Sequence, residues 1–324
     1  MYRTVNTTLS VSERGYVPLS FRDAEDWNKL KAPPLEGRQL ALLLGDDDVG
    51  PLVVCVTFPP SDEEMERALA HGHDSDNWRI TLLGESHMGP ATYGPGEFRF
   101  QDGGKAYGAD DYAAGPDGGY ALLVFADRRG FPIRPVQEKH KERYRQLATK
   151  GGEVLGITVA DPYPSSDQAL RTTLGSTNKA GAREGSFAQA DSWPEIGPGL
   201  RATAAIMGSP AAGPIVLLLD AHESTRVVPS CQLSTDLLLL VVAGSCTIDG
   251  HLLEMGDMRL QLPDERLPTV FAGPDGVSLV MLVADRRAFP AAEVEANEFG
   301  HQWNDALDAV VRGLVDDVAA GART

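Results

Sequence analysis

Short apolar or alternating runs, each bounded by Gly, Pro or Asp, recur along this chain. "PLVVCVTF" (51–58), "WRITLL" (78–83), "EFRFQ" (97–101) and "YALLVFA" (120–126) form one series. "PIVLLLD" (214–220), "LLLLVVAG" (237–244), "MRLQL" (258–262) and "VSLVMLVA" (277–284) form a second. Runs of this length between turn residues predict β strands, and their spacing predicts a barrel or sandwich. Two segments break the pattern. Residues 134–151 are strongly charged and read as a helix, and residues 160–186, rich in Ser, Thr, Gly and Ala, read as a linker. At the C-terminus Trp303, Leu307, Val310, Val311, Leu314 and Val318 recur at helical spacing. That stripe fits docking on a barrel, or on a partner subunit in a homodimer.

The two series are copies. "AAGPDGGYALLVFADRRGFP" (113–132) and "FAGPDGVSLVMLVADRRAFP" (271–290) share eleven of twenty positions, where ordinary residue usage gives roughly one. "GEFRFQ" (96–101) answers "GDMRLQ" (256–261), and "SFRDAEDW" (20–27) answers "SFAQADSW" (186–193). The order of blocks is kept, with small insertions between them. Repeats of about a hundred residues are two similar domains rather than a solenoid. The expected division is an N-terminal barrel at 1–133, a helix and linker at 134–185, a second barrel at 186–290 and a terminal helix at 291–324.

Charge and cysteine usage narrow the partners. The chain has 324 residues with a net charge of −17 and no local basic cluster. Such a surface repels phosphate backbones, so no nucleic-acid partner is expected. The longest apolar run, at 236–245, is too short to span a bilayer, so no membrane partner is expected either. Cys55, Cys231 and Cys246 lack a disulfide spacing and read as buried fillers. A reducing, cytoplasmic location is the expectation.

His71 and His73 precede the 78–83 run and share one face of an extended chain. They can grip one metal ion, or be two polar residues at a strand entrance. At this point the chain resembles the cupin superfamily, specifically a two-barrel cupin (bicupin). The family's first motif falls on His71, His73, Asn77 and Gly84, with Asn in place of Glu. The second falls on Gly96, Asp102, Gly104, Tyr107 and Asp111, keeping both glycines and replacing Pro, His and Asn. The resemblance covers about 20–132 and 186–290 and implies an all-β fold of tandem jelly-roll barrels with minor helices. It also implies a metal held on three His and one Glu. This chain offers His71 and His73 as metal ligands, with Asn77 and Tyr107 beside them. Asn is a weak ligand and Tyr must lose a proton with a pKa near 10. The cofactor expectation is therefore a divalent transition metal bound weakly.

The second copy shows where function is expected. His71 and His73 align with Cys231 and Leu233; Asn77, Arg79 and Thr81 align with Leu237, Leu239 and Val241. A strand apolar on both faces is buried on both sides, so the second barrel reads as a filled structural domain. In the first, the resemblance turns Asn77 into the lumen, and period two carries Arg79 and Thr81 with it. Trp78, Ile80 and Leu82 then face the other barrel. The expected substrate is a small polar or anionic molecule contacted by Asn77, Arg79 and Thr81. His71, His73 and Tyr107 are the candidate acid–base groups for a lyase, isomerase or cyclase step, metal optional. A non-catalytic binder or sensor and a metal-dependent oxygenase are the alternatives. Arg99 and Gln101 recur as Arg259 and Gln261, and the "DRR" of 127–129 recurs at 285–287, both pointing to scaffold roles.

Overall fold

A computed structural model describes residues 2–3, 8–32, 35–45, 50–58, 70–107, 110–113, 117–131, 134–137, 182–208, 212–288 and 293–321, with single positions between 139 and 149. The fold is mostly antiparallel β. In chain order the main strands of the first copy are β1 (Tyr16–Ser20), β2 (Asn28–Ala32), β3 (Leu35–Leu43), β4 (Leu52–Phe58), β5 (Asn77–Leu83), β6 (Glu97–Gln101) and β7 (Gly119–Phe125). Those of the second are β8 (Ala182–Ser186), β9 (Glu195–Gly197), β10 (Leu200–Ile206), β11 (Ile215–Ala221), β12 (Leu237–Ile248), β13 (Asp257–Gln261) and β14 (Val270–Val283). Helix α1 (Glu298–Gly321) follows.

One sheet runs β8-β6-β5-β7-β4-β3-β2 and the other β1-β13-β12-β14-β11-β10-β9. They correspond strand for strand, with one exchange. The leading strand of each copy completes the other copy's sheet: β1 pairs with β13, and β8 pairs with β6. Each exchanged strand ends in a serine that caps a short 3-10 turn. Ser20 Oγ accepts from Arg22 N and Ser186 Oγ from Ala188 N, both at 3.1 Å. The next residue reaches back across the exchange: Phe21 N donates to Gly256 O at 3.0 Å and Phe187 N to Gly96 O at 3.1 Å. Both acceptor glycines have positive φ, +85° and +78°, which explains why the duplicated "GEFRFQ" and "GDMRLQ" blocks begin with Gly.

The exchange corrects the reading of residues 160–186 as a linker. Residues 160–181 lie outside the described residues, but Ala182–Ser186 is a sheet strand. Its small residues serve close packing: a Cβ on Gly185 would come within 2.5 Å of the Phe98 ring. The helical reading of 134–151 also changes at its start. Arg134–Pro135 is a strand paired with His71–Gly72, whereas Glu142, Arg145, Gln146 and Thr149 are helical. Much of the remaining span lies outside the described residues.

The two sheets meet face to face. Trp78, Ile80 and Leu82 of β5, with Phe100, Leu122 and Val124, pack against Leu238, Leu240 and Val242 of β12, with Met258, Val280 and Leu282. Each such burial contributes about 1.5–3 kcal/mol. This is the outward face expected for Trp78, Ile80 and Leu82.

The opposite face of each sheet lines a barrel interior. In the second barrel Leu217, Leu219, Leu237, Leu239, Val241, Leu279 and Met281 form a continuous apolar core. Helix α1 closes that core with Trp303, Leu307 and Val311, and Trp303 Nε1 donates to Val227 O at 2.9 Å. The terminal stripe thus docks on the protein's own second barrel. The cysteines are free and buried; burial pushes the Cys231 and Cys246 thiols up to about 12.

Candidate functional site

The lumen of the first barrel is polar where that of the second is apolar. β5 alternates as expected: Trp78, Ile80 and Leu82 face the other sheet, and Asn77, Arg79 and Thr81 face inward, all buried. The neighbouring strands extend each inward position into a row. One row crosses β7, β5, β6 and β8 as Leu123, Arg79, Arg99 and Glu184. The matching row of the second barrel reads Met281, Leu239, Arg259 and Pro18. The adjacent rows read Phe125, Asn77, Gln101, Ala182 and Val283, Leu237, Gln261, Tyr16.

Three candidate residues are joined by hydrogen bonds. Arg79 Nη2 donates to Tyr107 Oη at 2.9 Å, and Tyr107 Oη lies 3.0 Å from His71 Nε2. Tyr107 Oη thus bridges the two, accepting from the Arg79 guanidinium on one side and facing a ring nitrogen of His71 on the other. The Arg79 guanidinium also lies over the Tyr107 ring, 5.1 Å from its centroid. Backbone pairing sets this geometry. His71 and Tyr107 form an antiparallel bridge, with Tyr107 N donating to His71 O at 2.9 Å.

His73 is buried beside them, its ring edge-on to His71 at 5.3 Å between centroids. Its Nδ1 lies 2.6 Å from Phe131 O. A carbonyl only accepts, so Nδ1 carries the proton and Nε2 keeps its lone pair. Burial holds the His73 imidazole well below its usual range, and the nearby Arg79 guanidinium adds to this. Phe125 and Phe131 pack on its ring.

Asn77 is 2% exposed, and among the described residues its carboxamide nitrogen has no hydrogen-bond partner. Thr81 Oγ1 lies 2.8 Å from Ser86 Oγ. The structure therefore gathers Asn77, Arg79, Tyr107, His71 and His73 into one lumen. Thr81, also inward, is engaged with Ser86.

Three more residues belong to this wall: Arg99, which the sequence marks as scaffold, and Tyr93 and Glu184, which sequence reasoning missed. Arg99 is buried and donates through Nε and Nη2 to Gln101 Oε1, as Arg259 does to Gln261. Its Nη1 lies 2.8 Å from Tyr93 Oη and 3.2 Å from Glu184 Oε1. Tyr93 also donates to Glu184 at 2.5 Å, and burial with that acceptor pushes the phenol up to about 12. Glu184, on the exchanged strand, was hidden inside a segment read as linker. In the second barrel the counterpart Arg259 is covered by the Tyr16 ring at 3.7 Å.

The donor set does not fit the metal centre that the cupin resemblance implies. Among the described residues no three His, Cys, Asp or Glu side chains converge. His71 Nε2 is turned to Tyr107 and His73 Nδ1 to Phe131 O. Asn77 is a neutral carboxamide, and the Arg79 cation contacts the Tyr107 oxygen that would have to ligate. Asp76, nearby in sequence, is used elsewhere: its Oδ1 accepts from Gly103 N at 2.7 Å and its Oδ2 from Gly208 N at 3.0 Å.

A cleft of about 760 Å³ lies between the copies, lined by Asp127, Arg129, Asp285 and Arg287 among others. Each arginine there is held by the aspartate two residues earlier. Arg128 and Arg286 are buried and donate to the main-chain carbonyls of Leu44 and Met207. In each Asp-Arg-Arg, then, one arginine pairs with the aspartate and the other holds main-chain carbonyls, which is a framework role, and the lumen holds the richer chemistry.

No protein-family model matches the sequence, and no curated protein matches it. Solved structures do. A proposed dioxygenase from Nostoc punctiforme superimposes with a TM-score of 0.55 at 13% identity, covering 91% of this chain and 92% of that one. Oxalate decarboxylase from Bacillus subtilis gives a TM-score of 0.46 at 13% identity, over 86% and 77% of the two chains. The chain has the bicupin fold, two cupin barrels in tandem.

Proposed function

We propose that this bicupin is an enzyme acting on a small polar or anionic molecule in the lumen of its first barrel, by a lyase, isomerase or cyclase type of step. The observation that carries the reading is the chain Arg79–Tyr107–His71. It is buried, hydrogen-bonded and positioned by backbone pairing, and at its counterpart positions the other barrel carries Leu239, Leu267 and Cys231. Arg79 offers a fixed cation for an anionic group. Tyr107 can donate a proton and recover it through His71, while His73 keeps a bare Nε2 as acceptor. No step is routed through a metal, since the donor set does not fit one.

The reading is tested with a set of small polar and anionic compounds. Thermal shift identifies what binds, and mass spectrometry of the incubated compound identifies turnover. His71→Ala with His73→Ala should abolish conversion while the melting temperature of the free protein falls by only a few degrees. Tyr107→Phe should bind and not convert. A set of binders that all return unchanged would favour the second reading, a non-catalytic sensor. That reading draws on Tyr107 being held from both sides and on the missing metal donors. Binding unaffected by the double substitution would overturn both.

A further inference from the structure

Resting on the lumen reading above, we infer that the first barrel takes a compound with a carbonyl and a hydroxyl on adjacent carbons and an apolar remainder, the carbonyl accepting from Asn77 and the hydroxyl donating to His73, and that Gly130 is the positioning residue for His73. Asn77 supplies the donor. Its side chain is buried and faces the lumen, and among the described residues its carboxamide nitrogen has no hydrogen-bond partner. A buried donor left unsatisfied is costly, and a carbonyl oxygen, which only accepts, satisfies it. His73 supplies the acceptor. Its Nδ1 proton is committed to Phe131 O at 2.6 Å, which leaves the Nε2 lone pair for an O–H. Phe125 brings the two together. It stands directly opposite Asn77 in the β7–β5 register, and the His73 ring packs edge-on against it at 4.9 Å. Both groups border one ring, so the ligand atoms that meet them are close neighbours. Phe125 also belongs to an apolar lumen wall with Val54, Val56, Phe58 and Ala121, which receives the rest of the molecule.

Gly130 explains how His73 is held. Asp74 N and Ser75 N both donate to Gly130 O, at 3.1 and 3.3 Å, so the chain just after His73 lies against the turn that carries Phe131. A Cβ at position 130 would come within 2.4 Å of Ser75 N, a main-chain atom, and the two segments would have to part. The second copy has Ala288 at the corresponding place, and there Ala288, Ser234 and Thr235 line the cleft between the copies. Its counterparts of His73 and Asn77 are Leu233 and Leu237, both in the apolar core. The donor, the acceptor and the glycine that positions the acceptor are thus all replaced together in the barrel that is filled.

The experiment titrates the full chain with 3-hydroxybutan-2-one, butan-2-one, 3-methoxybutan-2-one and butan-2-ol, by calorimetry and ligand-observed NMR. The hydroxyketone should bind about tenfold more tightly than butan-2-one or butan-2-ol, each of which forgoes one hydrogen bond. The methyl ether has no hydroxyl proton to give and should gain nothing over butan-2-one. These comparisons on the unsubstituted chain need no variant to fold. Asn77→Leu should weaken butan-2-one and the hydroxyketone about tenfold and leave butan-2-ol unchanged. His73→Leu should bring the hydroxyketone down to the level of butan-2-one, which itself holds. Gly130→Ala should weaken the two hydroxyl compounds and spare butan-2-one; a loss shared by all four compounds would mean that Gly130 is structural and does not position His73. Equal binding of hydroxyketone and butan-2-one, a hydroxyl advantage that survives His73→Leu, or silence from all four compounds would overturn the inference. If all four are silent while another compound binds and loses that binding in His71→Ala with His73→Ala, the lumen reading survives and only the hydroxy-carbonyl class falls. If the two imidazoles make no difference to any compound that binds, the lumen reading falls too.

Discussion

Leu239 is the residue whose loss should show that neither barrel is stable alone. It is 1% exposed in the second barrel, between Arg259 and Met281 on the flanking strands. Leu239→Ala removes three carbons at about 0.8 kcal/mol each, about 2.4 kcal/mol in transfer free energy. The remaining cavity raises the total to about 2–5 kcal/mol. The more informative question is where the loss appears. The sheets share one apolar interface, and each is completed by a strand of the other copy. A local loss in one barrel should therefore be felt in both. Hydrogen exchange measures this directly, comparing the slowest amides of β4 and β11, central strands of the two sheets. Both should lose protection by the same factor, about 30-fold for 2 kcal/mol. Urea unfolding should keep a single transition. If β11 loses protection while β4 keeps its own, the barrels unfold separately and the coupling argument is wrong.

Three further outcomes follow from the same geometry. His73 is held below its ordinary range while the unfolded chain titrates near 6.5, so the unfolded state binds more protons as pH falls. Its contribution to stability is complete above about pH 6.5 and declines below it; His73→Gln should flatten the acid limb of a melting-temperature profile. Dialysis against EDTA should leave the melting temperature unchanged, and elemental analysis should find less than one transition metal per chain; a stoichiometric, tightly held metal would show the donor analysis to be wrong. Tyr16→Ala should uncover Arg259 and cost about 1–2 kcal/mol in chemical unfolding, whereas a neutral outcome would mean that the stacking contributes nothing.

Much of this molecule is legible in its sequence because duplication writes each element twice. The strands "WRITLL" and "LLLLVVAG" were visible from their patterns, and comparing them pointed to the polar lumen. β3 and β10 were not recognised. Leu200, Ala202, Ala204 and Ile206 alternate inward, but alanine carries too little apolar surface to mark a strand. The exchanged strands could not be read at all, since their partners lie in the opposite copy and no local pattern encodes that pairing. For the same reason Glu184 was missing from the site. The facing of "EFRFQ" is not legible in the sequence, because both faces of β6 are buried: Phe100 meets the other sheet, and Arg99 and Gln101 meet the lumen. Alternation gives the period of a strand but not which side is the interior.

Asp76 ties three parts of the molecule to one carboxylate. It precedes Asn77, grips Gly103 on the loop that leads to Tyr107, and grips Gly208 of the second copy. Its twin, Asp236, grips Gly45 of the first copy at 2.7 Å. The same two carboxylates therefore join the barrels and anchor the start of β5 and the Gly103 loop, so that the seating of one barrel on the other and the placement of Tyr107 share their fastenings.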